Sequence, residues 1–239
     1  MPANAAIFIA CDTTDIDQCK KLAALAQAHG QGIKLGLEFF SYHGPEGVQA
    51  VRESAPDLPL FLDLKLHDIP NTVGAAVRSL CRHITPAYIT VHAGGGSEMM
   101  RAARNNAPEA VRLLAVTVLT SLDTEMLASI GQDSDHPGQV LRLAGLADRS
   151  GMDGVVCSAG ELDAIRKNLG DDVICMVPGI RPARANSDDQ KRVSTPAAAI
   201  QAGATHLVIG RPITQADDRE AALSAISREI EEAANAATG

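Results

Sequence analysis

Residues 6–37 read AIFIACDTTDIDQCKKLAALAQAHGQGIKLGL, a stretch in which two short apolar runs flank a helical pattern. The first run, Ala6–Cys11, predicts a buried strand, and the apolar residues between Cys19 and Ala26 have the spacing of one helix face. Gly30 is a natural helix stop, and it precedes the second run, Gly32–Leu37. These patterns together predict one strand–helix–strand unit.

The same alternation continues along the whole chain. Strict alternation of strands and helices predicts a parallel sheet in an α/β fold. Eight such units in 239 residues favour a closed (β/α)8 TIM barrel over the alternative, an open doubly wound sheet. We therefore expect residues 1–239 to form a single barrel domain. The six further apolar runs that predict strands are Leu58–Leu64, Tyr88–His92, Val111–Leu119, Gly154–Cys157, Val173–Val177 and His206–Ile209.

Start and stop signals accompany several of the predicted helices. Ser97 and Thr195 are expected to be N-caps, because a hydroxyl side chain can accept from the first free amides of a helix. Gly203 is expected to end a short helix over Pro196–Ala202. The segment Ala216–Ala236 is rich in Ala, Glu and Ile and predicts a terminal helix.

Composition and charge exclude several function classes. The formal net charge is −8, which argues against nucleic acid or an acidic membrane surface as a partner, since both require a basic face. No apolar run approaches the roughly 20 residues of a membrane span, and residues 1–6 lack the design of a signal peptide. The expected location is the cytoplasm.

The cysteine pattern points to no metal site. None of the five cysteines forms a Cys-x-x-Cys pair, and their number is odd. We expect reduced thiols in the core rather than a metal or disulfide set. They are Cys11, Cys19, Cys81, Cys157 and Cys175.

Charged residues interrupt the first three strands at their carboxyl ends, where barrels carry their chemistry. Asp12 follows the first strand, Lys34 lies in the second, and Asp63-Leu-Lys65 ends the third, with Asp68 close behind. Residues two apart in a strand share a face, so Asp63 and Lys65 both point into the barrel mouth. The opposite face carries Leu62, Leu64 and Leu66.

Alternating charges at such a site can neutralise one another. Lys34, Asp63, Lys65 and Asp68 are therefore predicted to form an alternating catalytic array. A purely structural network of salt bridges on the barrel rim is the alternative interpretation.

The last two strands are followed by residues suited to a phosphate group. Gly210-Arg211 follows strand eight, and a glycine before a helix N-terminus allows close approach to an anion. Arg181 and Gln190 lie in the long connection after strand seven and could converge on the same phosphate. Gly94-Gly95-Gly96 after strand four has two interpretations, a phosphate cradle or a tight turn.

The histidines have no metal-ligand spacing. We expect each of the scattered ones to be a hydrogen-bonded structural residue. They are His43, His92 and His206.

The segment Asp63-Leu-Lys65-Leu-His-Asp68-Ile-Pro-Asn-Thr72 resembles the signature of the orotidine 5′-phosphate decarboxylases of the bacterial type. The Asp-x-Lys-x-x-Asp core is shared by a wider suprafamily. The Ile-Pro-Asn-Thr that follows it narrows the resemblance to the orotidine 5′-phosphate decarboxylases. The resemblance covers nearly the whole chain. Its further elements fall in the expected order: Asp12, Lys34, Leu119-Thr120-Ser121, Pro178–Pro182, Gln190 and Gly210-Arg211.

This resemblance implies decarboxylation of orotidine 5′-phosphate to uridine 5′-phosphate in de novo pyrimidine biosynthesis, with no metal and no organic cofactor. It implies that Asp12 and Lys34 hold the ribose hydroxyls. It implies that Asp63 sits against the substrate carboxylate and that Lys65 protonates the carbon that loses carbon dioxide.

The resemblance also assigns residues to the base, the phosphate and the subunit interface. Thr120 would contact the pyrimidine, and Asp68 and Thr72 would reach into the neighbouring subunit's site, which implies a homodimer. The connection after strand seven would close over the phosphate. The implied phosphate ligands are Arg181, Gln190, Gly210 and Arg211.

Two other functions remain open from the residues alone. A magnesium-dependent sugar-phosphate aldolase or keto-acid decarboxylase could reuse the motif but would need a carboxylate metal site, for which Glu38 is available. A non-catalytic barrel that binds a phosphorylated ligand would account for Arg181 and Arg211. It would leave the alternating charges unexplained.

Overall fold

The computed structural model describes residues 6–132, 135–182 and 194–236, and eight parallel strands close there into a barrel. The strands follow one another in sequence order around the barrel, and the last pairs with the first through the register Phe8↔Val208. The predicted (β/α)8 barrel is confirmed. The open sheet is wrong, because strand one has hydrogen-bonded neighbours on both sides.

All eight predicted strands are present, with shifts at some ends. The third begins after Pro59, which has no N–H to donate to a ladder. The fifth ends at Val116, because the chain then turns and Leu122 N donates to Leu119 O. The strands are β1 Ala6–Cys11, β2 Gly32–Gly36, β3 Leu60–Leu66, β4 Tyr88–His92, β5 Arg112–Val116, β6 Gly154–Val156, β7 Ile174–Val177 and β8 His206–Ile209.

Helices pack outside the strands and connect them. In the described ranges, every helix is too short or too polar to cross a lipid bilayer. The helices are α1 Ile16–Ala28, α2 Leu37–Glu53, α3 Pro70–His83, α4 Gly96–Asn106, α5 Thr124–Ser129, α6 His136–Arg149, α7 Leu162–Leu169, α8 Pro196–Gln201, α9 Arg211–Thr214 and α10 Arg219–Ala236.

Three of the predicted helix signals act as expected. Thr195 caps α8 by accepting a hydrogen bond from Ala198 N at 3.1 Å. Gly30 and Gly203 follow α1 and α8 with φ values of 65° and 101°, which glycine adopts without steric cost.

Two helix starts differ from the prediction. Ser97 is not an N-cap, because α4 already begins at Gly96, directly after a 3₁₀ turn over Ala93–Gly95. The terminal helix begins at Arg219 instead of Ala216. The carboxylate of Asp218 accepts from Ala221 N at 2.9 Å and fixes that start.

The core has two layers, and strand alternation decides which residue enters each. Phe8, Phe61, Leu114 and Met176 come from the four odd-numbered strands and fill the barrel interior. Such layers, contributed by alternate strands, are typical of this barrel. The outward-facing strand residues pack against the helices, and they include Leu62, Leu64 and Leu66 as predicted. Phe61 therefore fixes the direction of Asp63 and Lys65, which share its face.

The cysteines depart from the prediction at one pair. Cys11 at the end of β1 and Cys19 in α1 form a disulfide, with Cα atoms 6.0 Å apart. The expectation of five reduced thiols is wrong here, because α1 folds back along β1 and brings the two residues together. Cys157 and Cys175 are buried free thiols, and Cys81 is only partly buried.

The amino end of the barrel is held by a network centred on Asp153. Its carboxylate accepts from Arg104 Nη1, from Arg112 Nη1 and from the backbone amide of Leu113, each at 2.8 Å. The Asp153 side chain is only 15% exposed. Its loss would leave the Arg104 guanidinium without its counter-charge and the amide of Leu113 without its acceptor.

We expect Asp153→Ala to lower the free energy of unfolding by about 2–4 kcal/mol, since it breaks a partly buried charge network. Urea unfolding followed by circular dichroism measures this loss. The matched control is Asp148→Ala, at an exposed position of α6, which should change stability by less than about 0.5 kcal/mol. Equal stability of the two variants would contradict a structural role for the Asp153 network.

Candidate active site

A cavity of about 720 Å³ opens at the carboxyl ends of the strands. Parallel strands with outer helices leave this end of the barrel free for loops and polar side chains. The cavity contains most of the residues that the sequence predicted for the site. Those that line it are Asp12, Lys34, Asp63, Lys65, Thr120, Arg181, Gly210 and Arg211.

Four charged side chains form a continuous alternating row inside this cavity. Lys34 Nζ lies 2.5 Å from Asp12 Oδ1 and 4.0 Å from Asp63 Oδ2. Lys65 Nζ lies 2.7 Å from the same Asp63 oxygen. Lys34 is 6% exposed, so its charge needs these carboxylates close by. The row is therefore Asp12–Lys34–Asp63–Lys65.

The predicted fourth member, Asp68, is not part of this row within one chain. Its side chain is exposed, and Asp68 Oδ1 accepts from Ile69 N at 2.6 Å. Thr72, in the first turn of α3, is exposed as well, and Ile69 between them is 65% exposed. The turn into α3 carries this carboxylate away from the cavity of its own chain, so the place of Asp68 in the array stays a prediction that requires a second subunit.

The backbone at Lys65 is irregular. Lys65 has a φ of 48°, and the pairing of β3 with β4 shifts register between Leu62 and Leu66. A left-handed conformation costs a long side chain about 1–3 kcal/mol, and it persists only when the surroundings hold it. The sequence pattern treats β3 as regular and does not reveal this departure.

Thr90 of β4 contacts both halves of the Asp63–Lys65 pair. Lys65 N donates to Thr90 Oγ1 at 2.9 Å, and that hydroxyl donates to Asp63 Oδ1 at 3.0 Å. Thr90 is fully buried. Sequence reasoning missed this residue, although its inward position in β4 could be read from the alternation with Tyr88 and His92.

Two basic residues that line the same cavity follow the ends of β7 and β8. Arg211 begins α9 directly after Gly210, and Arg181 follows β7. The connection that carries Arg181 is closed at its base, since Arg181 N donates to Ser194 O and Ser194 N donates to Gly179 O. Gln190, the remaining predicted phosphate ligand, lies outside the described residues.

Comparison with known proteins assigns the chain to a family. The model of the orotidine 5′-phosphate decarboxylase / HUMPS family matches residues 5–226. The chain belongs to this family.

Curated relatives extend the match over nearly the full length. An orotidine 5′-phosphate decarboxylase of Novosphingobium aromaticivorans is 48% identical over 92% of this chain and 96% of its own. One from Thermobifida fusca is 48% identical over 95% and 96%. The crystal structure of orotidine 5′-phosphate decarboxylase from Lactobacillus acidophilus superposes with a TM-score of 0.82 at 36% identity, covering 95% of this chain and 99% of its own.

In this orotidine 5′-phosphate decarboxylase / HUMPS family member, the triple glycine after β4 is a turn. Ala93–Gly95 form a 3₁₀ turn, and Gly96, with a φ of 82°, begins α4. The three glycines are absent from the cavity lining among the described residues. The interpretation as a tight turn is supported, and the phosphate cradle is not.

The histidines of this family member are largely structural. His43 Nε2 lies 2.7 Å from Thr14 O, and His206 Nε2 lies 3.0 Å from the hydroxyl of Tyr88. Burial lowers the pKa of His206 to about 4 and keeps it neutral. The expectation of a hydrogen bond is wrong for His92, whose buried Nδ1 has no partner within the described part of the chain.

His92 instead stacks on His67, with ring centroids 5.2 Å apart. Burial, followed by the charges of His67 and Lys65, lowers the pKa of His92. A neutral, stacked imidazole beside Lys65 adds no competing charge to the row.

Sequence reasoning overlooked further polar residues of the cavity. Thr13 and Gln18 belong to the β1–α1 segment beside Asp12. Thr214 and Gln215 lie at the end of α9, near Arg211. Their signal in the sequence is weak, because single polar residues in loops are common.

The arrangement holds an oriented ammonium in a cavity that also has apolar residues in its wall. Lys65 Nζ is oriented by Asp63, and the same cavity is lined by Val116, Val156 and Val208. A charge oriented in advance acts on a developing negative charge without reorganisation. Lys65 can thus serve as a proton donor and as a stabiliser of a carbanion.

Proposed function

We propose that this chain decarboxylates orotidine 5′-phosphate to uridine 5′-phosphate in pyrimidine biosynthesis, the reaction for which its curated relatives are named. The observation that carries the proposal is the Asp12–Lys34–Asp63–Lys65 row in one cavity with Arg181 and Arg211. A phosphorylated nucleotide with a ring carboxylate has a partner for each part of that cavity. Relatives at 48% identity support the same substrate.

In the proposed mechanism, Asp63 faces the carboxylate of the substrate. The bond between the ring carbon and the carboxylate breaks, carbon dioxide leaves, and the electron pair stays on the ring carbon. Lys65 donates a proton from its ammonium to this carbon, and a new C–H bond forms. Lys65 is left neutral and regains its proton from solvent. The ammonium supplies both charge and proton, so the proposed steps include no metal ion and no organic cofactor.

The remaining residues are proposed to bind the substrate. Asp12 and Lys34 hold the ribose hydroxyls, and Thr120 contacts the pyrimidine. Binding energy from a distant phosphate can be used to stabilise the closed, reactive site. The proposed phosphate ligands are Arg181, Gln190, Gly210 and Arg211.

We also propose a homodimer in which Asp68 and Thr72 complete the partner's site. Both side chains are exposed in the single chain, and the strongly exposed Ile69 lies between them. A large exposed apolar side chain beside exposed polar ones suits a surface that becomes buried on association. The cytoplasmic location, and a partner set without nucleic acid or membrane, remain predictions of the sequence.

Mixing two inactive variants tests the shared site. Asp68→Ala and Lys65→Ala homodimers lack one residue in every site, whereas each mixed dimer regains one intact site. Under subunit exchange, we expect an equal mixture to recover up to about a quarter of wild-type activity. The decarboxylation assay measures this. If exchange is demonstrated and no activity returns, Asp68 does not act across the interface.

The test of the proposed function is an absorbance assay. Purified protein is mixed with orotidine 5′-phosphate in excess chelator, and the orotate chromophore is followed. Rapid loss of the chromophore supports the proposal and removes the magnesium-dependent alternative. An unchanged spectrum with folded protein would contradict it and favour sugar phosphates with magnesium as the substrates.

A further inference from the structure

One buried hydroxyl connects the two residues proposed to do the chemistry. Thr90 Oγ1 accepts from Lys65 N at 2.9 Å and donates to Asp63 Oδ1 at 3.0 Å. The side chain comes from the neighbouring strand β4, and Thr90 is 0% exposed. It is absent from the residues that line the cavity in the described chain, so it acts only through its two partners.

The local backbone makes this contact necessary. The register of β3 against β4 shifts between Leu62 and Leu66, and Lys65 lies in the left-handed region with a φ of 48°. Lys65 N donates to the Thr90 hydroxyl in place of a regular ladder partner. Without this hydroxyl, the amide would be left without its acceptor at a conformation that lysine rarely adopts.

The same hydroxyl fixes the orientation of the Asp63 carboxylate. Asp63 Oδ1 accepts from Thr90, while Asp63 Oδ2 accepts from Lys65 Nζ at 2.7 Å and lies 4.0 Å from Lys34 Nζ. Each oxygen therefore has its own partner, and rotation of the carboxylate would break contacts on both sides. An oriented carboxylate in turn orients the ammonium of Lys65.

We propose that Thr90 is a positioning residue for the decarboxylation: its hydroxyl holds the carboxylate of Asp63 and the backbone of Lys65, and thereby the ammonium that delivers the proton. This inference rests on the proposed function of the site. It adds a residue outside the charged row whose loss should slow the chemical step and leave substrate binding largely intact.

The experiment compares three substitutions at this position. Thr90→Val removes the hydroxyl at constant shape, Thr90→Ala removes hydroxyl and methyl, and Thr90→Ser keeps the hydroxyl. We expect Val and Ala to lower kcat about 10- to 100-fold, because a displacement of about 1 Å at a reacting group costs this much. The KM and the dissociation constant of uridine 5′-phosphate should stay within about threefold of wild type in all three, and Ser should keep kcat within about threefold.

The matched control is Thr117→Val. Thr117 is 1% exposed, and its hydroxyl donates to Val156 O at 3.1 Å, so the variant also loses a buried hydroxyl of the barrel wall. It should lose stability but keep its kcat per folded molecule. Product titration counts the folded sites, which separates a slower reaction from a smaller folded fraction.

The outcomes separate the two proposals. Wild type without decarboxylase activity would overturn the proposed function and this inference with it. If the wild type is active and Thr90→Val has a normal kcat, only the role of the hydroxyl is overturned. The same holds if Thr90→Ser loses as much kcat as Thr90→Ala. An equal loss of kcat in Thr117→Val would also overturn it. If Thr90→Val does not fold, the comparison of Ser with Ala decides, since these two differ only in the hydroxyl.

Discussion

Lys65→Ala is expected to abolish decarboxylation, with a loss of kcat of at least about 10⁴-fold, because it removes the proposed proton donor together with the positive charge proposed to face the carbanion. Binding of uridine 5′-phosphate should largely persist. Asp63 keeps Lys34 Nζ at 4.0 Å and the hydroxyl of Thr90 at 3.0 Å, so its charge remains partly compensated. Loss of the orotate absorbance measures turnover, and calorimetric titration with uridine 5′-phosphate measures binding.

Lys167→Ala is the control for this substitution. Lys167 is an exposed lysine of α7, and its removal should leave kcat unchanged. Near-normal turnover by Lys65→Ala would contradict the assignment of Lys65 as the proton donor. Loss of product binding along with activity would instead indicate that the lysine mainly holds the site together.

Arg211→Ala is expected to lower kcat/KM for orotidine 5′-phosphate about 100- to 1000-fold, which corresponds to about 3–4 kcal/mol of transition-state stabilisation. Arg211 lines the cavity at the start of α9, directly after Gly210, where a guanidinium can form paired hydrogen bonds with phosphate oxygens. The measurement is kcat/KM for the nucleotide and for the phosphate-free nucleoside orotidine.

The nucleoside is the decisive comparison. Its slow reaction should be nearly unaffected by Arg211→Ala, because it has no phosphate for the guanidinium to bind. The surface variant Arg149→Ala, at the exposed end of α6, should leave kcat/KM unchanged for both the nucleotide and the nucleoside. Equal losses with nucleotide and nucleoside would show that Arg211 supports the fold of the loop and does not bind phosphate.

The sequence determined the barrel and the place of its charges. Strand and helix periodicity are local properties, so the alternating runs from Ala6 to Ile209 gave the number and order of the strands. The period of two placed Asp63 and Lys65 on one face, and the polarity of parallel strands placed them with Lys34 at the same end. The motif that resembles the family signature includes Asp63 and Lys65, so it marks the same end of the barrel.

Other features depend on the path that the chain takes between a strand and the following helix. The Cys11–Cys19 disulfide depends on how α1 returns along β1, and the position of Asp68 depends on the turn into α3. The local pattern indicated reduced thiols in the first case. In the second it indicated a member of the charged array, without showing that Asp68 lies outside the cavity of its own chain. Neither prediction contained information about the path of the chain between elements.

Only the tertiary structure brought Asp12 into the charged row and Thr90 beneath Asp63 and Lys65. Thr90 lies 25 residues from Lys65 and 27 from Asp63 along the chain, and its contacts exist because β4 pairs with β3 across a shifted register. Periodicity fixes which face of a strand a residue occupies. The register between strands, which decides what that residue touches, is set by packing and hydrogen bonding across the whole barrel.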